Sequence, residues 1–288
     1  MRNLCLLVLL GLLSGCEPVQ LPADVRMPDG AVYDGDTEDN LFHGQGSLTW
    51  PDGRHYEGEF QEGLMTGEGR LEGRDGCVQE GHFVNGVLNG EGSYTCPDAS
   101  YQGQFTNGEL TKGSVAYLDD NSYQGEFRDF QPHGQGLWVT ASAEQFEGTF
   151  AEGYMVKGTY RNEEGYHYQG EFDFFTFEGK GELTRPDGVV IRATFENGHA
   201  EGPGTRTRPR DEGEPVVEKG FFVRGDYYPS EKAWRQRKQQ QAAAMEARLY
   251  TESSRLQSVL SSLAPQRPGV RDVYLLVVGG DGTEAVFA

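Results

Sequence analysis

A five-residue figure, an aromatic followed by Gly two positions on and Phe four positions on, governs residues 33 to 222 and is complete in Tyr56-Glu57-Gly58-Glu59-Phe60. Its copies start at Tyr33, Tyr56, Gln79, Tyr101, Tyr123, Phe146, Tyr168, Ile191 and Glu218, in steps of 22 or 23 residues until a last step of 27. A fixed period of this length signals an array of small stacked units, none of which can bury an apolar face alone. A second figure, Gly-x-Gly, trails the first at Gly44/Gly46, Gly67/Gly69, Gly90/Gly92, Gly134/Gly136, Gly179/Gly181 and Gly202/Gly204. These two figures account for much of an unusual total of 41 glycines.

Strand alternation places the three marked residues of a copy on one face. Tyr56, Gly58 and Phe60 share it, as do Tyr101, Gly103 and Phe105; Tyr123, Gly125 and Phe127; Phe146, Gly148 and Phe150; and Tyr168, Gly170 and Phe172. The residues between them, such as Glu57/Glu59, Gln124/Glu126 and Gln169/Glu171, point to the other face, which reads as solvated. Turn sequences recur with the same period at Pro28-Asp29-Gly30, Pro51-Asp52-Gly53, Arg74-Asp75-Gly76 and Pro97-Asp98-Ala99. Each repeat is therefore expected to be a hairpin and the array an antiparallel meander. A lone hairpin is marginal in water, so stability must come from stacking rings on neighbouring repeats.

The pattern Y-x-G-x-F followed by G-x-G at a period of 23 resembles the MORN repeat, the membrane occupation and recognition nexus. Gln79, Ile191 and Glu218 depart from it at the leading aromatic and Thr37 at the first Phe, so the edge copies read as caps. The resemblance implies a mainly β fold, an elongated antiparallel hairpin ribbon of eight to nine repeats over residues 31–228 that serves as a protein-interaction scaffold. The repeat's name suggests acidic phospholipid as a ligand. A net charge of -20, from 45 acidic and 25 basic residues, opposes that binding and nucleic acid equally. The expected partner is a protein of the cell envelope, with no cofactor.

Residues 1–16 carry Arg2, an apolar run from Leu4 to Leu12, and Leu13-Ser14-Gly15-Cys16. The apolar run is too short to span a bilayer, and the whole resembles a bacterial lipoprotein signal peptide. That resemblance implies lipidation of Cys16, with the membrane reached through the lipid anchor alone. Glu17 is not the Asp that retains many such proteins at the inner membrane, so an outer-membrane location is expected, facing the periplasm or the outside. Residues 17–30, with Pro18, Pro22 and Pro28, read as a tether. Cys77 and Cys96 remain as a possible disulfide, close together if residues 85–90 hold a hairpin turn. His43-Gly44 and His133-Gly134 fall on the repeat's own glycines, and the cluster Asp34, Asp36, Glu38 and Asp39 lacks the spaced Gly and distal Glu of a calcium loop. No catalytic or metal-binding residue is expected in the array.

Pro229-Ser230 precedes a stretch free of Gly and Pro, which predicts a helix within 229–264. Its start is basic, at Lys232, Arg235, Arg237 and Lys238. Met245, Leu249, Leu256, Leu260 and Leu263 form an apolar stripe expected to dock on its own chain. Residues 265–288 hold Val273 to Val278, a wholly apolar run that reads as a lone C-terminal strand, followed by Gly279-Gly280-Asp281-Gly282. Val278 to Thr283 resembles the glycine motif of diacylglycerol and NAD kinases, while Arg267 to Phe287 as a whole resembles the opening strand of legumain-type (clan CD) cysteine peptidases. The second resemblance implies the truncated start of a peptidase domain. The His-Gly and Cys of that family have no counterpart here, so the chain as it stands is read as no enzyme. The alternatives are the N-terminal portion of a legumain-family peptidase and, more remotely, a fragment of a lipid or NAD kinase.

Overall fold

The computed structural model describes residues 24–262. The signal sequence with Cys16, the tether up to residue 23, and residues 263–288 with the apolar run lie outside the described residues. The chain divides after Tyr227 into two units.

The first unit is an antiparallel meander. Each strand pairs with the one before it and the one after it, from Asp24–Arg26 through Val32–Glu38 and Leu41–Thr49 up to His199–Arg208 and Val216–Val223. With Asp226–Tyr228 the sheet has nineteen strands, arranged as a leading strand and nine hairpins. The first of these strands corrects the tether boundary. Residues 24–26 pair with Val32, Tyr33 and Asp34 across Pro28-Asp29-Gly30, and Val25 and Met27 pack on the core. Three prolines suggest a linker, but the alternating Val25 and Met27 pack against the core.

Within a hairpin the strands join through two residues that both have positive φ, such as Asn85 at 51° and Gly86 at 87°. This is a type I′ turn, whose twist matches that of the strands it connects. The Pro-Asp-Gly sequences instead link one hairpin to the next. In them the Asp side chain accepts a backbone N–H two residues on, as Asp52 does from Arg54 at 3.2 Å. Three turns lack Gly at the second position: Asn40 (φ 62°) tolerates the left-handed region, whereas Phe130 (φ 59°) and Phe175 (φ 62°) do not favour it. Their rings offset the backbone cost by packing inward, Phe175 lying 5.1 Å from Phe146 and 5.3 Å from Trp138.

The glycines form a continuous row across the sheet. Gly35 pairs with Gly46, Gly46 with Gly58, Gly58 with Gly69 and Gly69 with Gly81, and the row runs on to Gly170 and Gly181. Its function is steric. The Tyr33 ring lies flat over it, so that a Cβ on Gly46 would sit 2.5 Å from the hydroxyl oxygen and 2.8 Å from Cζ. Over this row the tyrosine hydroxyls reach carbonyls freed by a bulge in the following strand: Tyr56 donates to Glu59 O at 3.1 Å and Tyr123 to His133 O at 3.1 Å. The first Gly of each Gly-x-Gly supplies the left-handed residue of that bulge, as Gly134 does at φ 61°.

Bulge and loop also explain the uneven period. The copies anchored at Tyr101 and Phe146 lack the first Gly, and there the strand is one residue shorter between Leu110 and Gly113 and between Met155 and Gly158. The copy at Gln79 is short elsewhere, with four residues rather than five between the paired Thr95 and Ser100. The final step is long because residues 209–215 lengthen a loop. Cys77 and Cys96 flank the ends of the third hairpin, next to the pair Val78 and Thr95, and are joined as a disulfide with Cα atoms 4.2 Å apart.

The second unit contains the helix Glu231–Ser262. Ser230 caps it, its hydroxyl accepting the Ala233 N–H at 3.2 Å. Met245 and Leu249, expected to dock on the chain, are 67% and 58% exposed. The stripe is narrow, since Glu246, Arg248, Glu252 and Arg255 surround it and two of them pair along the helix at 2.9 Å.

Candidate functional site

The two faces of the sheet differ as the alternation predicts, and each carries an open groove. On the aromatic face Tyr56, Phe60, Phe105, Tyr123, Phe127, Phe146, Phe150, Tyr168 and Phe172 are buried, while Tyr101 is half-buried between Tyr94 and Phe130. Rings of successive repeats meet edge to face, as Tyr123 meets Phe150 at 4.9 Å and Tyr168 meets Phe195 at 5.0 Å. Gly58, Gly103, Gly125, Gly148 and Gly170 lie in the glycine row beneath them.

The polar face is less free than alternation implied. Asp36, Glu59, Glu126 and Glu171 fold onto the bulge glycines Gly44, Gly67, Gly134 and Gly179. Glu126 Oε1 also accepts the Gln135 N–H at 3.2 Å, so it supports the bulge instead of merely facing water. Beyond that ledge runs a trough of about 610 Å³, floored by Gly58, Gly69, Gly81 and Gly92 and walled by Glu57, Glu68, Glu80 and Glu91. His82 Nδ1 lies 3.2 Å from Glu68, and Arg70 bonds Glu72 at 3.2 Å. Among the described residues no group of three or more His, Cys, Asp or Glu is placed to hold a metal ion. His43 and His133 serve the repeat through their carbonyls, which accept the Tyr33 and Tyr123 hydroxyls.

The aromatic face opens between the fifth and eighth hairpins into a groove of about 550 Å³. Trp138, Phe146, Tyr160, Phe175 and Phe177 line it, with one charged group, Glu144. Tyr160 donates to Glu144 Oε1 at 2.6 Å, and burial, followed by that bonded carboxylate, pushes its phenol up to about 12. Sequence reasoning missed this groove. Its residues fall outside the repeating figure, apart from Phe146, and come together once the strands are in register.

The buried phenols give the array a base-sensitive core. Tyr56 and Tyr123 are pushed from 10.0 to about 12, first by burial and then by the carboxylates of Glu59 and Glu126, and Tyr168 is raised in the same way beside Glu171. The neutral phenol is thus favoured by folding. Its contribution is complete below pH 10 and is lost as pH rises towards 12, about 2 to 3 kcal/mol for each ring. A base titration followed by phenolate absorbance and circular dichroism should show these rings ionising together with loss of the sheet. Ionisation of Tyr56, Tyr123 or Tyr168, read as the difference between the chain and its Phe variant at that position, near pH 10 with the sheet intact would contradict it.

Five segments of the chain, residues 33–53, 56–78, 80–100, 123–142 and 168–190, match the family model of the MORN repeat. Among curated proteins no sequence matches. Among solved structures, the TCP10 domain of Danio rerio CPAP in complex with a peptide of STIL is similar at 12% identity and a TM-score of 0.32, over 69% of this chain and 82% of that one. The TCP domain of Drosophila melanogaster SAS-4 in complex with a proline-rich motif of Ana2 is similar at 12% identity and a TM-score of 0.23, over 74% and 97%. Likeness at these scores carries no argument about this chain. The hairpin array contains MORN repeats, found at five places along it.

Proposed function

We propose that this chain is a lipid-anchored bacterial envelope protein, placed at the outer membrane, whose hairpin array is a scaffold for a protein partner and which performs no catalysis of its own. The observation that carries the reading is the sheet itself, where nineteen strands in chain order present two unlike faces, each with an open groove. Arrays of this kind bind through extended surfaces. The anchor rests on Leu13-Ser14-Gly15-Cys16. The non-catalytic part is supported by the thiols of the array: Cys77 and Cys96 are joined to each other, so neither offers a thiolate to an oriented His. Its many carboxylates make the array a poor ligand for acidic headgroups.

Cys16→Ser is expected to leave an unprocessed precursor that takes up no labelled palmitate, and unchanged labelling would remove the anchor from the reading. A peptidase assay with and without iodoacetamide addresses the alternative raised by Arg267 to Phe287. Iodoacetamide-sensitive turnover by the purified chain would place it among the peptidases.

A further inference from the structure

The aromatic groove departs from the repeat at one position. The residue two before each anchor is Ala, Arg, Cys, Asn, Tyr or Val in the other copies and is acidic in one, Glu144 before Phe146. Glu144 is half-buried, bonded by the Tyr160 hydroxyl at 2.6 Å, and paired with no cation among the described residues. Around it stand the Trp138 and Tyr160 rings, which occupy the same position on successive hairpins.

Elsewhere the chain completes the same set of groups with an arginine. Arg54, at the position equivalent to Glu144, sits 4.7 Å over the Trp50 ring and bonds Asp52 at 3.0 Å. Arg206 sits 3.9 Å over Tyr227 while its Nε donates to Glu218 at 2.9 Å. A guanidinium suits both partners, since its plane stacks on an aromatic face and its edge bonds a carboxylate. In the groove the described residues supply rings and carboxylate without an arginine.

We propose, building on the scaffold reading, that this groove binds an arginine side chain on an extended segment of the partner protein, the guanidinium lying against Trp138 and Tyr160 and bonded to Glu144. The length of the groove favours a segment over a free small cation. It shares Tyr160, Phe177 and Gly198 with a second groove of about 580 Å³ that continues towards Asp226. The net charge of -20 raises the local concentration of basic segments, and the carboxylate with its rings selects the side chain.

The test uses the full chain with Trp50→Phe and Trp234→Phe, which leaves Trp138 as the sole indole reporter. Short Gly/Ser peptides bearing one central Arg, citrulline or Glu are titrated against its fluorescence. The Arg peptide should bind about tenfold more tightly than the citrulline peptide, and Glu144→Gln should remove about the same factor while leaving the thermal transition in place. Glu57→Gln, on the opposite face, should leave binding unchanged. Equal binding of Arg and citrulline would overturn the proposal because the guanidinium charge would then play no part, and equal losses from Glu144→Gln and Glu57→Gln would overturn it in favour of diffuse charge attraction. Photo-crosslinkers in cells separate this from the scaffold reading. Crosslinking of a protein at Gln102 but not at Thr176 sinks the groove and leaves the scaffold, crosslinking at Thr176 that Glu144→Gln abolishes supports the groove, crosslinking at Thr176 that survives Glu144→Gln sinks the groove, and crosslinking at neither sinks both.

Discussion

Phe150→Ala is expected to lower the stability of the array by ~3 to 5 kcal/mol, the range for emptying a buried aromatic site. Phe150 is 1% exposed and meets the Tyr123 ring at 4.9 Å and Phe175 at 6.2 Å. One truncation therefore loosens the stack between the fifth, sixth and seventh hairpins. Among the described residues there is no second sheet to collapse into the space. Urea denaturation should show a lower midpoint with an unchanged slope, against a change within about 0.5 kcal/mol for Gln124→Ala, which is exposed on the other face. Similar losses from the two would mean that the faces are misassigned. Glu126→Ala, its neighbour on the polar face, is expected to fall between them at about 1 kcal/mol, because Gln135 N–H loses its acceptor.

Gly136→Ala should be nearly as damaging, at roughly 3 kcal/mol, although it adds one methyl group. The new Cβ would overlap the ring and hydroxyl of Tyr123. The ring must lift, and its hydroxyl then leaves the Glu126 and His133 carbonyls it now bonds at 3.0 and 3.1 Å. Overpacking of this kind costs ~1 to 3 kcal/mol and two abandoned carbonyls add to it, against a smaller gain from stiffening the unfolded chain. The discriminating measurement is the double variant with Tyr123→Phe. If clash with the hydroxyl is the cause, part of the loss is recovered in that background; a strictly additive loss would locate the damage in the ring carbons or the backbone.

Much of this architecture is legible in residue spacing. The period gives the hairpin count, and alternation names the buried rings from Tyr56 to Phe172. What remained hidden has a common origin in contacts that cross between repeats. Asn85-Gly86, Asn107-Gly108 and Asn197-Gly198 are recognisable hairpin turns, but Phe174-Phe175 in the same role is not. A Phe at positive φ is unfavourable locally, and the turn forms because the Phe175 ring is held by Trp138 and Phe146. The carboxylate of Glu126 looks like any solvated residue of an alternating strand until the bulge brings Gly134 and Gln135 beneath it. The groove around Glu144 combines four hairpins, so no window of sequence contains it.

The meander with its clasp at Cys77 and Cys96 also dictates how the array would yield under load. Strands lie in chain order, so tension applied along the polypeptide from either end peels the outermost strand from its neighbour one hydrogen bond at a time, instead of shearing a whole ladder at once. Hairpin after hairpin would pay out its length at low force. The third would not, because the bond between residues 19 apart keeps its loop out of the load path, and reduction would release that stored length as one additional step. An array built this way extends hairpin by hairpin, and the redox state of one bond decides whether the third contributes its length.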